Sequence, residues 1–250
     1  MPESSTKRII LCFFVLMFIA AGRVNAQDPI SPDRPGLGNG AYIVEPTVTY
    51  LESGLEYYSL DAGDQYSFGQ VLIRGGLTEG VELRLVLNSF VVQNFTGTAD
   101  TGVPDPGVGL KFNIYRDPDS ALRLSGLGNL SIPIGSAVYT TDEWIPTATL
   151  LAEYSLNSQS TVTLNAGHTF EAGPLPSAWN VSITPGFSIP DSELGLYAGY
   201  AGVYSDAGDQ QFIEAGITKL LEPFMQLDIN AGYELQNSEL FVGGGIALKF

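Results

Sequence analysis

The last eleven residues, Leu240–Phe250, alternate between two kinds of side chain with a period of two. One face carries Leu240, Val242, Gly244, Ile246, Leu248 and Phe250, and the other carries Phe241, Gly243, Gly245, Ala247 and Lys249. This alternation is typical of a β-strand that faces lipid on one side and the interior of a barrel on the other. A half-buried strand of a soluble sandwich has the same period, so this segment alone leaves both folds open.

The same alternation recurs along the chain from Pro46 onward, in about twelve β-like segments separated by turn-forming residues. The predicted segments are 46–60, 66–77, 81–93, 106–116, 121–133, 144–156, 161–170, 178–189, 193–204, 211–219, 223–234 and 239–250. Short connections alternate with longer, more acidic ones, which include 61–65 and 94–105. An even number of strands with this rhythm predicts an all-β fold, a closed antiparallel transmembrane β-barrel of about 12 strands of the outer-membrane type.

The first 26 residues have the pattern of a cleaved secretory signal peptide. Lys7 and Arg8 precede the apolar run Ile9–Ala21, and Val24-Asn25-Ala26 supplies small residues at a cleavage site. The apolar run is shorter than the roughly 20 residues that a membrane-spanning helix needs. We therefore predict three parts: signal peptide 1–26, an N-terminal lead-in 27–45 and the barrel 46–250. The predicted location is the outer membrane.

The lead-in, residues 27–45, is rich in proline and glycine and shows no periodicity. We interpret it as a periplasmic segment that could fold into the mouth of the barrel. The chain has one cysteine, Cys12, inside the predicted signal peptide. No disulfide or thiol chemistry is therefore expected in the mature protein.

The charge balance argues against polyanionic partners. The formal net charge is −16, and charged residues make up 15% of the chain. A chain this acidic is a poor partner for nucleic acid or for anionic lipid head groups.

Alternation within the segments assigns polar residues to the barrel interior. In Val81–Asn88 the leucines would face lipid, and in Met225–Glu234 the apolar residues would do the same. The predicted lumen-lining residues are Glu52, Glu56, Arg74, Glu82, Arg84, Lys111, Asp228 and Lys249. These mixed charges would either set a transverse field that selects solutes, or pair with each other and fill the interior.

Two other features could carry chemistry. The stretch Asp61-Ala62-Gly63-Asp64-Gln65 recurs as Asp206-Ala207-Gly208-Asp209-Gln210, which makes Asp61, Asp64, Asp206 and Asp209 weak candidates for a divalent metal site. Aspartate and glycine are equally the residues of tight turns, and we favour that interpretation, so neither metal nor cofactor is predicted. His168 is the only histidine and lacks the His-x-Ser arrangement of barrel lipid hydrolases, so no enzyme activity is predicted.

Several stretches together resemble a known family. They are Asp33-Arg34-Pro35, Leu51-Glu52-Ser53-Gly54, Arg74 through Arg84, Gly107 through Lys111, Ile132 through Ser136, Gln226-Leu227-Asp228, Phe241 through Gly245 and the final Phe250. They look like the outer-membrane transporter family named for the meta-pathway of phenol degradation. The resemblance implies an outer-membrane channel or transporter, with hydrophobic or aromatic compounds among its solutes.

Three functions stay open at this point. The first is passive passage of small solutes, the second a non-conducting structural or surface-binding barrel, and the third an outer-membrane lipid hydrolase. The expected partners are a small-molecule solute, outer-membrane lipid and lipopolysaccharide, and the barrel-assembly machinery, which would bind the C-terminal strand ending in Phe250. No nucleic-acid partner is expected.

Overall fold

The computed structural model describes residues 28–95 and 98–250, so the predicted signal peptide lies outside the described residues. The described residues form fourteen β-strands: β1 Thr49–Leu60, β2 Gly63–Thr78, β3 Val81–Leu87, β4 Phe90–Phe95, β5 Thr98–Gly102, β6 Gly107–Arg116, β7 Leu122–Ser131, β8 Ile145–Ser155, β9 Ser160–Thr169, β10 Ala178–Ile189, β11 Leu194–Ser205, β12 Gln210–Glu222, β13 Met225–Glu234 and β14 Leu240–Lys249. Within these residues no helix is long and apolar enough to cross a membrane.

The strands close into a barrel because β1 pairs with both β2 and β14. β3 and β4 follow one another along β2, with β3 paired to its second half and β4 to its first. In the same way β5 pairs with β4, and β6 with β3. The fourteen strands of the described chain therefore occupy twelve positions around the barrel. This confirms the predicted closed antiparallel barrel of about twelve strands.

The two ends of the barrel differ. One end, called the short-turn end here, carries connections 79–80, 117–121, 156–159, 190–193 and 223–224. The opposite end, the long-loop end, carries connections 132–144, 170–177, 206–209 and 235–239. Two predicted long loops were wrong, since strand pairing continues through 63–65 and 98–102. These polar residues extend a hairpin beyond the apolar belt, so they lack the alternation from which strands were predicted.

The barrel is apolar outside and polar inside, the reverse of a soluble protein. Ile229 is 62% exposed, whereas its neighbour Asp228 is 4% exposed. Large apolar side chains form the outer belt, among them Leu55, Leu85, Leu110, Phe112, Leu164, Ile183, Ile213, Ile217 and Val242. A charge on this face would cost about 2–4 kcal/mol at the bilayer midplane, which fixes the register of each strand.

The wall is interrupted at two neighbouring barrel positions, at residues 88–89 and 103–106. Pro104 and Pro106 lack the N–H groups that would continue the ladder. The loop 132–143 bridges the interruption: Ser136 N donates to Val103 O at 2.8 Å, and Ile132 N donates to Pro106 O at 2.8 Å. A cavity of about 350 Å³ remains there, lined by apolar residues such as Leu87 and Ile134.

Candidate functional site: the interior of the barrel

Residues 28–45, called the plug here, lie inside the barrel. Both ends of the plug are at the short-turn end: Ile30 N donates to Pro223 O at 2.8 Å, and Pro46 forms a bridge with Gly76. Between these points the plug runs into the lumen and back. The sequence predicted a lead-in that could fold into the mouth, and the structure places it deeper, against strands all around the wall.

Asp33 of the plug lies against three cations of the wall. Its carboxylate is 2.5 Å from Arg84 Nη1, 3.1 Å from Lys111 Nζ and 3.5 Å from Arg74 Nη1. Strand register brings these cations together, because Arg74 pairs directly with Arg84, and Lys111 pairs with Glu82. Like charges directly opposite each other on a sheet destabilise it, so the carboxylate of Asp33 offsets a repulsion built into the wall.

Two further carboxylates complete this network. Glu82 Oε1 is 2.8 Å from Arg74 Nε and 3.1 Å from Arg84 Nη1, and Glu52 Oε1 is 3.0 Å from Arg74 Nη1. All of these side chains are almost completely buried. Buried charges are tolerated only when they are paired and hydrogen-bonded, and here three cations face three carboxylates.

The environment of Asp33 keeps its carboxylate ionised. Burial by itself would raise the pKa of Asp33, but the charges of Arg74, Lys111 and Arg84 outweigh burial and hold the pKa well below its ordinary value. Asp33 is therefore an anion throughout the physiological pH range.

Arg34, the next residue, binds another part of the wall. Its guanidinium donates to Asp228 Oδ1 at 3.2 Å and to Gln70 Oε1 at 3.3 Å. The guanidinium lies over Gly54 and Gly245, where an added Cβ atom would overlap it. The last strand therefore carries a glycine at position 245 because the plug passes close to its backbone.

Side chains of the wall also bind the backbone of the plug. Glu52 accepts from the N–H groups of Asp33 at 3.1 Å and Arg34 at 2.8 Å, and Glu82 accepts from that of Val44 at 2.9 Å. Backbone N–H groups of an irregular segment need such partners when they are buried. Farther into the lumen, Leu37 N donates to Glu214 Oε1 at 2.7 Å and Asn39 N to Asn165 Oδ1 at 2.7 Å.

Apolar contacts hold the plug at two places near its ends. Ile30 and Val44 form a buried cluster with Tyr50 and Ala247 of the wall. Ala41 packs on Leu127 and Leu151 in a second cluster. The plug covers these apolar side chains of the wall.

The plug does not fill the whole lumen. A cavity of about 360 Å³ lies between the plug and the wall formed by β8 to β13. Four threonines of β9, β10 and β12 line it on the wall side: Thr161, Thr163, Thr184 and Thr218. Their hydroxyls form no side-chain hydrogen bond with another residue of 28–95 or 98–250, so they are available to a solute or to water.

The predicted lumen-lining residues divide into two groups by what they contact. Seven contact the plug: Glu52, Arg74, Glu82, Arg84, Lys111, Asp228 and Lys249. Glu56 instead accepts hydrogen bonds from Tyr58 and Gln70. The sequence reasoning missed Asp33, Arg34, Glu214 and Asn165 as members of the site. An isolated Asp-Arg pair in a Pro/Gly-rich segment, opposite a lumen of mixed charge, was the signal available.

The other candidates lie away from the lumen. The described residues hold no group of three or more His, Cys, Asp or Glu side chains placed to bind a metal. Asp64 accepts a hydrogen bond from the hydroxyl of Tyr57 at 2.7 Å. The ring of His168 packs between Phe170, at 5.0 Å between centroids, and Trp179, at 4.6 Å.

Asp105 organises the loop 132–143 that crosses the interrupted wall. Its carboxylate accepts from Gly135 N at 2.8 Å and from Thr141 N at 2.9 Å. Burial tends to raise the pKa of Asp105, but these hydrogen bonds outweigh it and the pKa lies below its ordinary value. One carboxylate thus fixes both ends of the loop.

The comparisons with known proteins agree with this architecture. The chain is similar to the COG4313 outer membrane channel from Pseudomonas putida F1, with 13% identity, a TM-score of 0.66, and coverage of 86% of this chain and 100% of that one. It is also similar to the NanC porin, with 10% identity, a TM-score of 0.58, and coverage of 80% and 100%. For the KdgM porin the values are 11% identity, a TM-score of 0.55, and coverage of 80% and 99%. A comparison with curated protein sequences finds no significant match.

A closed twelve-stranded barrel with an apolar outer belt and a polar interior defines an outer-membrane β-barrel protein. Residues 32–250 match the model of the family described as "Putative MetA-pathway of phenol degradation", and the chain belongs to that family. Short turns of such barrels face the periplasm, so the short-turn end is the periplasmic end. The plug therefore begins and ends at the periplasmic mouth.

Proposed function

We propose that this protein is an outer-membrane channel that admits small solutes past its plug. The observation that carries the proposal is the cavity of about 360 Å³ between the plug and the wall of β8 to β13, which includes residues of the periplasmic turn such as Ser158 and Gln159. The cavity begins at the periplasmic mouth, and we infer that it is the periplasmic part of a route beside the plug, along which solutes pass while the plug stays in place.

The lining of this route favours uncharged solutes, small aromatic and hydrophobic compounds among them. Threonine offers a methyl group and a hydroxyl, and the ring of Tyr197 adds an aromatic surface. A small aromatic alcohol could pack against these groups and donate a hydrogen bond. The charged residues of the lining, Asp33, Arg34 and Glu153, are each paired with an opposite charge, so they exert little net attraction on a solute in the cavity.

The test is conductance with the plug fixed in place. A Cβ atom at Gly38 would lie 2.8 Å from Ser182 Oγ, close enough for a disulfide between Gly38→Cys and Ser182→Cys. Residues 28–95 and 98–250 contain no other cysteine. In planar bilayers we expect small discrete steps of equal size before and after oxidation.

Two other outcomes would contradict the proposal. Loss of conductance on oxidation, restored by a reductant, would show that passage needs the plug to move. Silent bilayers in both states, with the fold confirmed by heat-modifiable mobility, would favour the non-conducting barrel.

We also propose a route of export and assembly. It comprises the cleaved signal peptide 1–26, insertion by the barrel-assembly machinery, and contact with outer-membrane lipid and lipopolysaccharide. Two contacts support the role of the C-terminal strand: Phe250 N donates to Thr49 O at 2.8 Å, and Thr49 N donates to Phe250 O at 3.1 Å. Phe250 therefore lies at the seam where β14 meets β1. Deletion of Phe250 should lower the amount of folded protein in the outer membrane, measured by heat-modifiable mobility.

A further inference from the structure

The cation cluster under the plug depends on one residue that is not part of the wall. Among the described residues, Asp33 supplies the carboxylate within 4.0 Å of Lys111 Nζ. The wall itself contributes three cations, Arg74, Arg84 and Lys111, against the carboxylates of Glu52 and Glu82. Without Asp33 the wall would hold one buried positive charge in excess, which is costly unless an anion takes the place of Asp33.

The geometry of this cluster suits a carboxylate. Arg84 Nη1 and Lys111 Nζ both contact Oδ2 of Asp33, and Arg74 Nη1 lies nearest Oδ1. Charge-assisted hydrogen bonds from several directions are the usual way in which proteins hold a carboxylate. Two carboxylates of the wall, Glu82 and Glu52, hold the guanidinium of Arg74 beside Asp33.

A second observation points to a ligand at the same place. Arg84 is 3% exposed, and its Nε atom is buried without a hydrogen-bond partner among the described residues. A buried donor without an acceptor is uncommon in proteins and carries a free-energy cost of about 1–3 kcal/mol. Asp33 therefore leaves one donor of the cluster unused, and an anion that approached differently could accept from it.

We propose that Arg74, Arg84 and Lys111 form a binding site for a small monocarboxylate, which Asp33 occupies as an internal ligand and from which such an acid displaces it. Displacement of Asp33 breaks its contacts with all three cations and loosens the plug. The effect on solute passage rests on the channel proposed above, whereas the binding itself does not.

The tether of Asp33 sets the concentrations at which competition occurs. A group held on a short segment competes as if it were present at an effective concentration on the order of millimolar. An external carboxylate must therefore bind the intact protein weakly and a protein without the Asp33 carboxylate much more tightly. This difference can be measured without a membrane.

The first experiment is titration calorimetry of the full-length folded protein in detergent, with benzoate as the probe and benzyl alcohol as its uncharged counterpart. We expect benzoate to bind Asp33→Ala at least tenfold more tightly than it binds the wild type. Benzyl alcohol should not distinguish the two. Asp28→Ala changes another acid of the same segment and should bind benzoate as the wild type does.

Loss of a cation tests the identity of the site. Adding Lys111→Met to Asp33→Ala should reduce benzoate binding at least tenfold. Equal benzoate affinity for the wild type and Asp33→Ala, or equal gains for benzyl alcohol, would overturn the proposal. Because calorimetry requires no conductance, a barrel that never conducts could still show the site, and a channel could still lack it.

A second measurement applies if Asp33→Ala does not fold. The benzoate concentration is set tens of times higher than the effective concentration of the tethered Asp33 carboxylate. In planar bilayers this benzoate should raise the conductance of the wild type. It should leave the oxidised variant with Gly38→Cys and Ser182→Cys unchanged. An equal response to benzoate and benzyl alcohol, or no response of the reduced protein, would contradict displacement of Asp33.

Discussion

Gly54 pairs directly with Gly245 across β1 and β14, and together they leave the space that the guanidinium of Arg34 fills. A methyl group at either position would overlap Arg34, and the plug could not keep its place. The two strands that close the barrel therefore also hold Arg34 of the plug in place.

The first prediction follows from this contact. Gly245→Ala should displace Arg34 and increase single-channel conductance severalfold, with a loss of stability of about 1–3 kcal/mol from overpacking. The matched control is Gly128→Ala, because an added Cβ atom there meets no other atom within 4 Å. Equal conductance of the two variants would show that the glycine pair does not position the plug.

The second prediction compares a buried ion pair with an exposed one. Asp228→Asn leaves Arg34, which is 14% exposed, without its charge partner, so we expect unfolding in urea to require about 3–5 kcal/mol less free energy. Glu153→Gln removes the partner of Arg123, which is 47% exposed, and should cost no more than about 1 kcal/mol. Similar losses in both variants would mean that the Arg34 pair is as hydrated as the Arg123 pair.

The third prediction locates the route beside the plug. Thr163→Phe should fill part of the cavity and lower conductance severalfold, because Thr163 lines it. Thr149→Phe, on the neighbouring strand and outside that lining, is the control and should retain most of the conductance. The measurement is single-channel conductance in potassium chloride. If both variants conduct like the wild type, solutes do not pass along β9.

The fourth prediction concerns pH. The pKa of Asp33 in the folded protein is lower than its ordinary value of 3.8, because nearby cations outweigh burial. Its stabilising contribution is therefore fully present above pH 3.8 and is lost only as the pH falls further. Conductance should not rise between pH 7 and pH 5 through protonation of Asp33, and Asp33→Asn should show the loosened state already at pH 7. If the conductance of the wild type rose between pH 7 and pH 5 and that of Asp33→Asn did not, Asp33 would be taking up a proton in this interval, which would contradict a lowered pKa.

The fifth prediction separates the long-loop end from the lumen. Asp105→Ala removes the acceptor that joins Gly135 to Thr141, so the loop 132–143 should become sensitive to limited proteolysis while the barrel stays folded. Asp100→Ala is the control, because Asp100 accepts a hydrogen bond from Tyr139 of this loop through its backbone carbonyl, which the substitution keeps. Resistance of both variants to protease would show that other contacts hold the loop.

The barrel could be predicted from sequence because every second side chain of a membrane-spanning strand contacts lipid and must be apolar. The pair Asp228 and Ile229 illustrates this, since exchanging their faces would put a charge into hydrocarbon. The strand Thr98–Gly102 was not predicted because it lies beyond the apolar belt, where the side chains do not contact lipid and need not alternate. The alternation of apolar and polar residues therefore predicts strands only where they cross the membrane.

The plug could not be predicted because its contacts have no period. Asp33 meets Arg84 across 51 residues and Arg34 meets Asp228 across 194, and each contact depends on the placement of a single side chain. The sequence predicted that charges would line the lumen, but a lumen with a transverse field and a lumen whose charges neutralise one another require the same residues. Only the position of Asp33 between Arg74, Arg84 and Lys111 separates the two.

The path of the plug has a consequence for the order of assembly. Because residues 28–45 enter and leave by the same mouth, the segment is not threaded through the closed cylinder. The β-strands can finish closing around an empty lumen, and the segment can dock afterwards without any strand pair reopening. Closure of the barrel and docking of residues 28–45 are therefore separate steps. The segment can leave and dock again after the barrel has closed.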